Sequence, residues 1–213
     1  MAYTLPPFIV ALDVESSDLN PDKPSKGATL PGQCISIAIE LVDTKTLKTA
    51  HRFYTEIQFD ATRFNWSVEA ALVHGLSIQG LSDKPTLAEA ARMVVDFLEK
   101  HMGAKPKILI GAHNPNFDTA YLRQLFAEIG FRGAIITRQV DAFTAGFVAF
   151  DLASSDDHVT FLGRSRAQHD AREDIANSVE MLRYVRKAGT FYRNRWFWLV
   201  GALALGLLIG GLF

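Results

Sequence analysis

Phe8-Ile9-Val10-Ala11-Leu12-Asp13-Val14-Glu15 is the stretch whose reading decides the fold. Its apolar first half reads as a buried strand. Residues i and i+2 of a strand point to one face, so the carboxylates of Asp13 and Glu15 crowd one spot at the strand's end. Their repulsion is costly unless a cation lies between them. Strand ends of this kind are where ligands sit in open α/β sheets. Taken alone, an Asp-x-Glu after an apolar run is more often a solvated loop.

Working outward, residues 20–32 hold three prolines and two glycines and read as a loop. Cys34–Val42 and Arg52–Phe59 are β-prone, with a hairpin connection over Asp43–Lys48. Val68–Val73 suits a short helix. Thr86–His101 is a firmer one, with a Thr86/Glu89 capping box and an apolar stripe of Leu87, Ala91, Val94, Val95 and Leu98. Lys107–Ile110 reads as a buried strand, Phe117–Ile129 as a helix closed by Gly130, Ala134–Val140 as a strand, and Asp170–Lys187 as a long helix. Asp141 is read as a helix cap. A hairpin group followed by alternating strands and helices indicates an α/β class with a mixed sheet.

Two further polar clusters follow the pattern of the first. His113-Asn114-Pro115-Asn116-Phe117-Asp118 comes directly after the strand at 107–110 and places Asp118 at the start of a helix. His169-Asp170-Ala171-Arg172-Glu173-Asp174 opens the last helix, with Asp174 one turn inside and His169 just outside. Singly, each has an ordinary reading as a helix-end acid or a surface histidine. His158 offers a rival to His169, but its spacing of sixteen residues from Asp174 makes it read as a loop residue.

Together, the three clusters resemble the DEDD superfamily of 3′–5′ exonucleases, in its DnaQ-like branch with a histidine (DEDDh). The resemblance spans roughly residues 8–187, and Val73-His74-Gly75-Leu76-Ser77 is similar to that family's His-Gly-Ile-Thr segment. It implies a ribonuclease H-like mixed β-sheet flanked by helices. It also implies hydrolysis of nucleic acid from 3′ ends, DNA or RNA, with release of nucleoside 5′-monophosphates. Asp13, Glu15, Asp118 and Asp174 match the four metal-binding acids, and His169 matches the general base. Two ions, Mg²⁺ or Mn²⁺, suit an all-oxygen ligand set and the charge that develops in phosphodiester hydrolysis. Ser16, Leu19, His74 and Asn114 match substrate-binding positions. Asp18 departs from the family pattern by replacing a glycine, and the loop after it is longer than usual. The competing expectation is a catalytically inactive, membrane-tethered module that grips nucleic-acid ends.

Charge is unevenly spread. Residues 1–180 carry 17 basic and 23 acidic residues, whereas 181–213 add five basic residues and no acid. A broad basic surface for nucleic acid is therefore not indicated, though clustered acids suit divalent cations. The lone cysteine, Cys34, excludes an internal disulfide framework and fits a reducing compartment. The N-terminus lacks a basic region and a long apolar run, so no signal peptide is expected.

Trp196–Phe213 is an unbroken apolar run. As a helix it measures about 27 Å, close to the hydrocarbon thickness of a bilayer. Trp196 and Trp198 stand at its start, after a basic cluster. These features predict an exonuclease domain at 1–190 and a C-terminal transmembrane anchor at 191–213. They predict a single-pass membrane location, with the catalytic domain facing the cytoplasm. Ala202, Gly206 and Gly210 form a small-residue stripe that would allow a homodimer.

Overall fold

The computed structural model of the chain describes residues 5–165 and 169–210, with side chains as far as Thr190. In chain order the elements are β1 (Phe8–Ser16), β2 (Cys34–Asp43), β3 (Thr49–Glu56), α1 (Val68–His74), α2 (Leu87–Met102), β4 (Lys107–Ile108), β5 (Ile110–Ala112), α3 (Pro115–Glu128), β6 (Ala134–Ile135), β7 (Val140–Asp141), α4 (Ala142–Phe150), α5 (Ser155–Phe161) and α6 (Ala171–Gly210). The main sheet runs β3-β2-β1-β5-β7, with β4 and β6 forming a separate pair. β1, β2 and β3 are antiparallel neighbours, whereas β5 and β7 continue parallel to β1. A mixed sheet flanked by helices is the arrangement of a ribonuclease H-like fold.

The alternation of β1 sorts its side chains between two cores. Val10, Leu12 and Val14 join Val94 and Leu98 of α2 and Leu122 and Leu125 of α3. Ile9 and Ala11 join Ile175, Val179 and Leu182 of α6. Asp13 and Glu15 continue the Ile9/Ala11 face, which α6 covers. The β1–β2 register shifts between Glu15 and Ser16, a bulge beside these acids. The Thr86/Glu89 capping box forms as expected.

Several expected elements are placed differently. The strand read at Lys107–Ile110 is two strands, because Leu109 lies where the chain leaves β6 as partner and joins β1. The strand read at Ala134–Val140 survives only as β6 and β7, each two residues long. β3 begins at Thr49 rather than Arg52, and α3 begins at Pro115, a residue suited to a helix's first turn. His158 is not a loop residue: it is buried on α5, a helix whose cap is Ser154. The helix expected to end at Lys187 runs on to Gly210.

Among the described residues no helix is long and apolar enough to cross a membrane. The side chains of the expected anchor at 191–213, and with them the stripe of Ala202, Gly206 and Gly210, lie outside the described residues.

Candidate active site

β5 pairs with β1 only at Val10 and Ala11, so the Val14 N–H on that edge needs another acceptor. Asp118 supplies it from the first turn of α3, with Oδ1 at 3.1 Å. This bond fixes Asp118 beside the peptide that separates Asp13 from Glu15. Asp118 is only 3 % exposed. Burial pushes its carboxyl well above the usual range. The Val14 N–H works against that rise, and the charges of Glu15 and Asp174 add to it.

α6 delivers the next two groups. Its start is set by Asp170, whose Oδ1 accepts from the Arg172 N–H and whose side chain pairs with the Arg172 guanidinium at 2.6 Å. Asp174, one turn in, is buried. His169 stands just before the helix, with its backbone N–H donating to the Val73 carbonyl at 3.1 Å. That bond ties the approach of α6 to the end of α1. The His169 ring places Nδ1 3.1 Å from Asp174 Oδ2. One ligand atom each from Glu15, His169 and Asp174 lies within 4.8 Å of the others. Asp13 lines one cavity with His169 and Asp174. The structure therefore gathers Asp13 and Glu15 from β1, Asp118 from α3, Asp174 from α6 and His169 from the approach to α6.

The four expected substrate positions are differently situated. Leu19 is 76 % exposed and borders a cleft with Lys26, Val68 and Val73. Asn114 is exposed at the N-terminus of α3, and its side chain makes no capping bond. His74 is buried; its Nδ1 accepts from the Leu76 N–H at 2.9 Å, which places the proton of the neutral ring on Nε2. That Nε2 has no hydrogen-bond partner among the described residues. Burial, and then the neighbouring His169, lower the His74 pKa and keep the ring neutral. Ser16 is buried under the following loop, with its hydroxyl donating to the Asp18 carbonyl at 2.7 Å.

Asp18 accounts for the departure at the family's glycine position. Its carboxylate accepts from the Leu19 N–H at 2.6 Å, Ser25 Oγ at 2.7 Å and Asn65 Nδ2 at 2.6 Å. Burial alone would raise its pKa, but the Ser25, Leu19 and Asn65 bonds outweigh burial and hold it below the ordinary value. The carboxylate thus staples the long loop to the strand exit. Gly32 is required at the loop's far end, because a Cβ there would fall 2.6 Å from the Tyr121 hydroxyl and 2.8 Å from the Asp18 carbonyl oxygen.

Sequence reading missed the wall of the cavity. His113, Ser155, His158, Asn177 and Ser178 line it together with Asp13, His169 and Asp174. His158 stacks on Phe143 at 5.3 Å between ring centroids, and His113 meets it edge-on at 5.1 Å. Gly146 makes room for the ring, since a Cβ there would lie 2.5 Å from His158 Cε1. His113 was visible in its motif. His158 stands in the sequence as a rival to His169, and the Ser154/Asp157 cap that starts α5 is the local signal that would place it on a helix instead of a loop.

No protein-family model matches the chain, and no curated protein matches it. Solved structures do. The nuclease domain of 3′hExo, a DEDDh family member bound to rAMP, superposes with a TM-score of 0.61 at 15 % identity, over 87 % of this chain and 93 % of that one. A full-length 3′-exonuclease gives 0.63 at 15 % identity, over 89 % of this chain and 63 % of that one. Escherichia coli Exonuclease I in complex with a dT13 oligonucleotide gives 0.65 at 16 % identity, over 89 % of this chain but 43 % of that one. The chain accordingly shares the fold of these 3′-exonucleases.

Proposed function

We propose that this chain is a metal-dependent 3′–5′ exonuclease that removes nucleoside 5′-monophosphates from the 3′ ends of nucleic acid. The observation that carries the reading is the meeting of Glu15, His169 and Asp174 within 4.8 Å. Asp13 shares their cavity, and Asp118 is buried beside Glu15 and Asp174. The fold likeness to DEDDh exonucleases supports it. So many carboxylates in a buried space repel one another, and that repulsion is relieved by cations.

The donor set fits divalent metal. Asp13, Glu15, Asp118 and Asp174 would hold two ions of the Mg²⁺ or Mn²⁺ class, which prefer carboxylate oxygen. An E. coli ExoI–ssDNA complex is known in a zinc-bound form, so metal preference is a point for direct measurement. When bound, a metal pair stabilises the charge on the attacking and leaving oxygens of an in-line displacement. His169 has Nδ1 turned to Asp174, which leaves Nε2 to take the proton from the attacking water. The water oxygen bonds to phosphorus as the bond between phosphorus and the 3′-oxygen of the penultimate nucleotide breaks, and that oxygen takes its proton from solvent. Leu19 and Asn114 are offered to the terminal nucleotide, with Ser16 supporting the loop that carries Leu19 and His74 buried at the end of α1.

The tail at 196–213 completes the proposal as a single-pass anchor. It rests on the apolar run and its basic and tryptophan flank. The catalytic domain then lies on the cytoplasmic side.

The test uses 3′- and 5′-blocked single strands of DNA and RNA with Mg²⁺ or Mn²⁺. The parent chain should shorten strands with a free 3′ end. Asp13→Ala and Asp174→Ala should each lose at least ~100-fold in rate, the equivalent of the several kcal/mol a catalytic metal supplies. Undiminished shortening by both purified variants would refute the reading.

A further inference from the structure

We infer that the end of the domain opposite the acids is a docking surface for anionic lipid headgroups, so that the active site faces away from the membrane. This inference rests on the anchor reading of 196–213 and goes beyond it by assigning a surface and an orientation.

The two poles follow from the topology. β1 begins at Phe8, paired with Asp43, and ends at Ser16, paired with Cys34. The acids sit at its far end, whereas the β2–β3 hairpin lies at its beginning. α6 runs between the same poles. It starts beside His169 and Asp174, and twelve residues later Arg186 donates from Nη2 to the Thr44 carbonyl at 2.9 Å and from Nη1 to the Lys45 carbonyl. Arg183 donates to the Leu47 carbonyl at 2.9 Å. α6 is thus clamped to the hairpin, and it continues unbroken from there to Gly210. Its backbone is helical through Gly189 and Thr190, the residues that lead from the catalytic domain toward the apolar run.

The hairpin pole is basic in a chain whose first 180 residues carry an excess of acid. Lys45, Lys48, Lys105, Lys107, Arg186 and Lys187 are all exposed there. The loop of Lys105 and Lys107 borders Pro6 and Pro7, whose carbonyls bond Thr44 of the hairpin. Acids near this pole include Asp43, Glu99, Glu180 and Glu40, the last held by Arg52 and the Thr49 hydroxyl. Asp43 is taken up by the Thr46 hydroxyl and the Thr46 and Lys45 N–H groups, and Glu180 by Arg183.

Distance then favours lipid as the occupant. Trp196 lies ten residues past Arg186, or about 15 Å along a helix. The headgroup layer covers roughly 5–8 Å of that, leaving a gap of about one Debye length. A tilt of α6 toward the hairpin closes it, and tilts of about 20° are usual. Asp174 is 22 residues from Trp196, so the acids stand about 33 Å from the hydrocarbon edge and roughly 25 Å from the headgroup surface. That separation keeps a polyanionic substrate clear of an anionic surface.

The experiment uses the full chain reconstituted into vesicles of phosphatidylcholine alone or with phosphatidylserine, each carrying a headgroup-linked quencher. Ala104→Cys places a fluorophore at the basic pole, and Gln79→Cys places one at the other. Buried Cys34 does not compete for label. Both labelled proteins should float with vesicles, and the label at position 104 should be quenched roughly threefold more than that at 79 when phosphatidylserine is present. Adding Lys45→Glu, Lys48→Glu, Lys105→Glu and Lys107→Glu together should abolish that excess while flotation persists. Flotation with equal quenching, or with the order reversed, overturns the orientation and leaves the anchor standing. Failure to float overturns both. If the fourfold variant keeps the quenching pattern but loses affinity for a single-stranded oligonucleotide, the pole is a nucleic-acid surface and the lipid proposal fails.

Discussion

Asp118 reaches from the first turn of α3 to the backbone N–H of Val14, at 3.1 Å, the peptide between Asp13 and Glu15. One bond therefore both completes the edge of β1 and draws a third carboxylate to a pair already crowded. Without metal the arrangement is strained, since burial, Glu15 and Asp174 all favour the protonated form of Asp118. A carboxyl raised in the folded state costs stability as pH rises through its ordinary range toward its folded value. Asp118→Asn keeps an acceptor for Val14 and removes that cost. Melting in EDTA at pH 7.5 should rise by about 2–4 °C, corresponding to roughly 1 kcal/mol for a domain of this size. Activity should nonetheless fall at least ~100-fold. A lower melting temperature would show that the charge of Asp118 is stabilising even without metal.

Of the three histidines that line the cavity, His169 and His158 should separate cleanly. His169 has Nδ1 on Asp174 and its backbone on Val73, and His169→Ala should reduce the rate by about 10²–10⁴, the usual contribution of a general base. Metal binding should survive, measured by calorimetry with Mn²⁺. His158 is packed against Phe143 and Gly146. His158→Phe preserves that stacking and should change the rate by less than about tenfold. Burial lowers the His158 pKa against the pull of the Leu152 carbonyl, Asp157 and Asp141. A histidine with a depressed folded pKa loses stability as pH falls below its unfolded value, near 6.5. The variant should therefore lose less melting temperature than the parent between pH 7 and 5. Equal rate losses for the two substitutions would remove His169 from its special role.

How much of this was legible depended on whether the deciding interaction was local. The alternation of β1, the Thr86/Glu89 cap and the Asp141 cap each lie within a few residues, and each was readable from the chain. The gathering of Asp13, Glu15, Asp118 and Asp174 came from the resemblance of three separated motifs, not from any one of them. The break at Leu109 was invisible, because an apolar run carries no sign that its pairing partner changes from β6 to β1. α5 was missed because Asp156, Asp157 and His158 give it a polar start, and its burial depends on α4 and α6. Asp18 looked like a defect in a family pattern, since its partner Asn65 is 47 residues away.

That staple yields a prediction of its own. Asp18→Ala removes three hydrogen bonds to a charged acceptor and leaves Asn65 and Ser25 without it. Bonds to charged groups contribute about 1.5–3 kcal/mol each, with strong overlap between neighbours. The net loss should be about 2–4 kcal/mol in urea denaturation at pH 7. Because the Asp18 pKa is lowered in the fold, its stabilisation is full above the ordinary carboxylate value. It fades as pH drops through the lowered one. Parent and variant should therefore converge in stability only at strongly acidic pH. A constant difference down to pH 2 would mean that the loop is held by packing and not by the carboxylate.

Metal should protect the fold through the same acids it needs for chemistry. A ligand that binds only the native state adds about 2.7 kcal/mol at a hundred times its dissociation constant. For a domain of this size that is about 5–10 °C in melting temperature. Saturating Mn²⁺ should produce such a rise in the parent, and EDTA should abolish it. Glu15→Gln removes a carboxylate charge from the 4.8 Å cluster with His169 and Asp174, so most of the rise should disappear while the metal-free melting temperature stays level or increases. Arg63→Ala breaks the Glu128 ion pair on the surface and should leave the metal-induced rise intact. If Glu15→Gln and the parent respond alike to Mn²⁺, the cation is binding elsewhere and the acids at the end of β1 do not form its site.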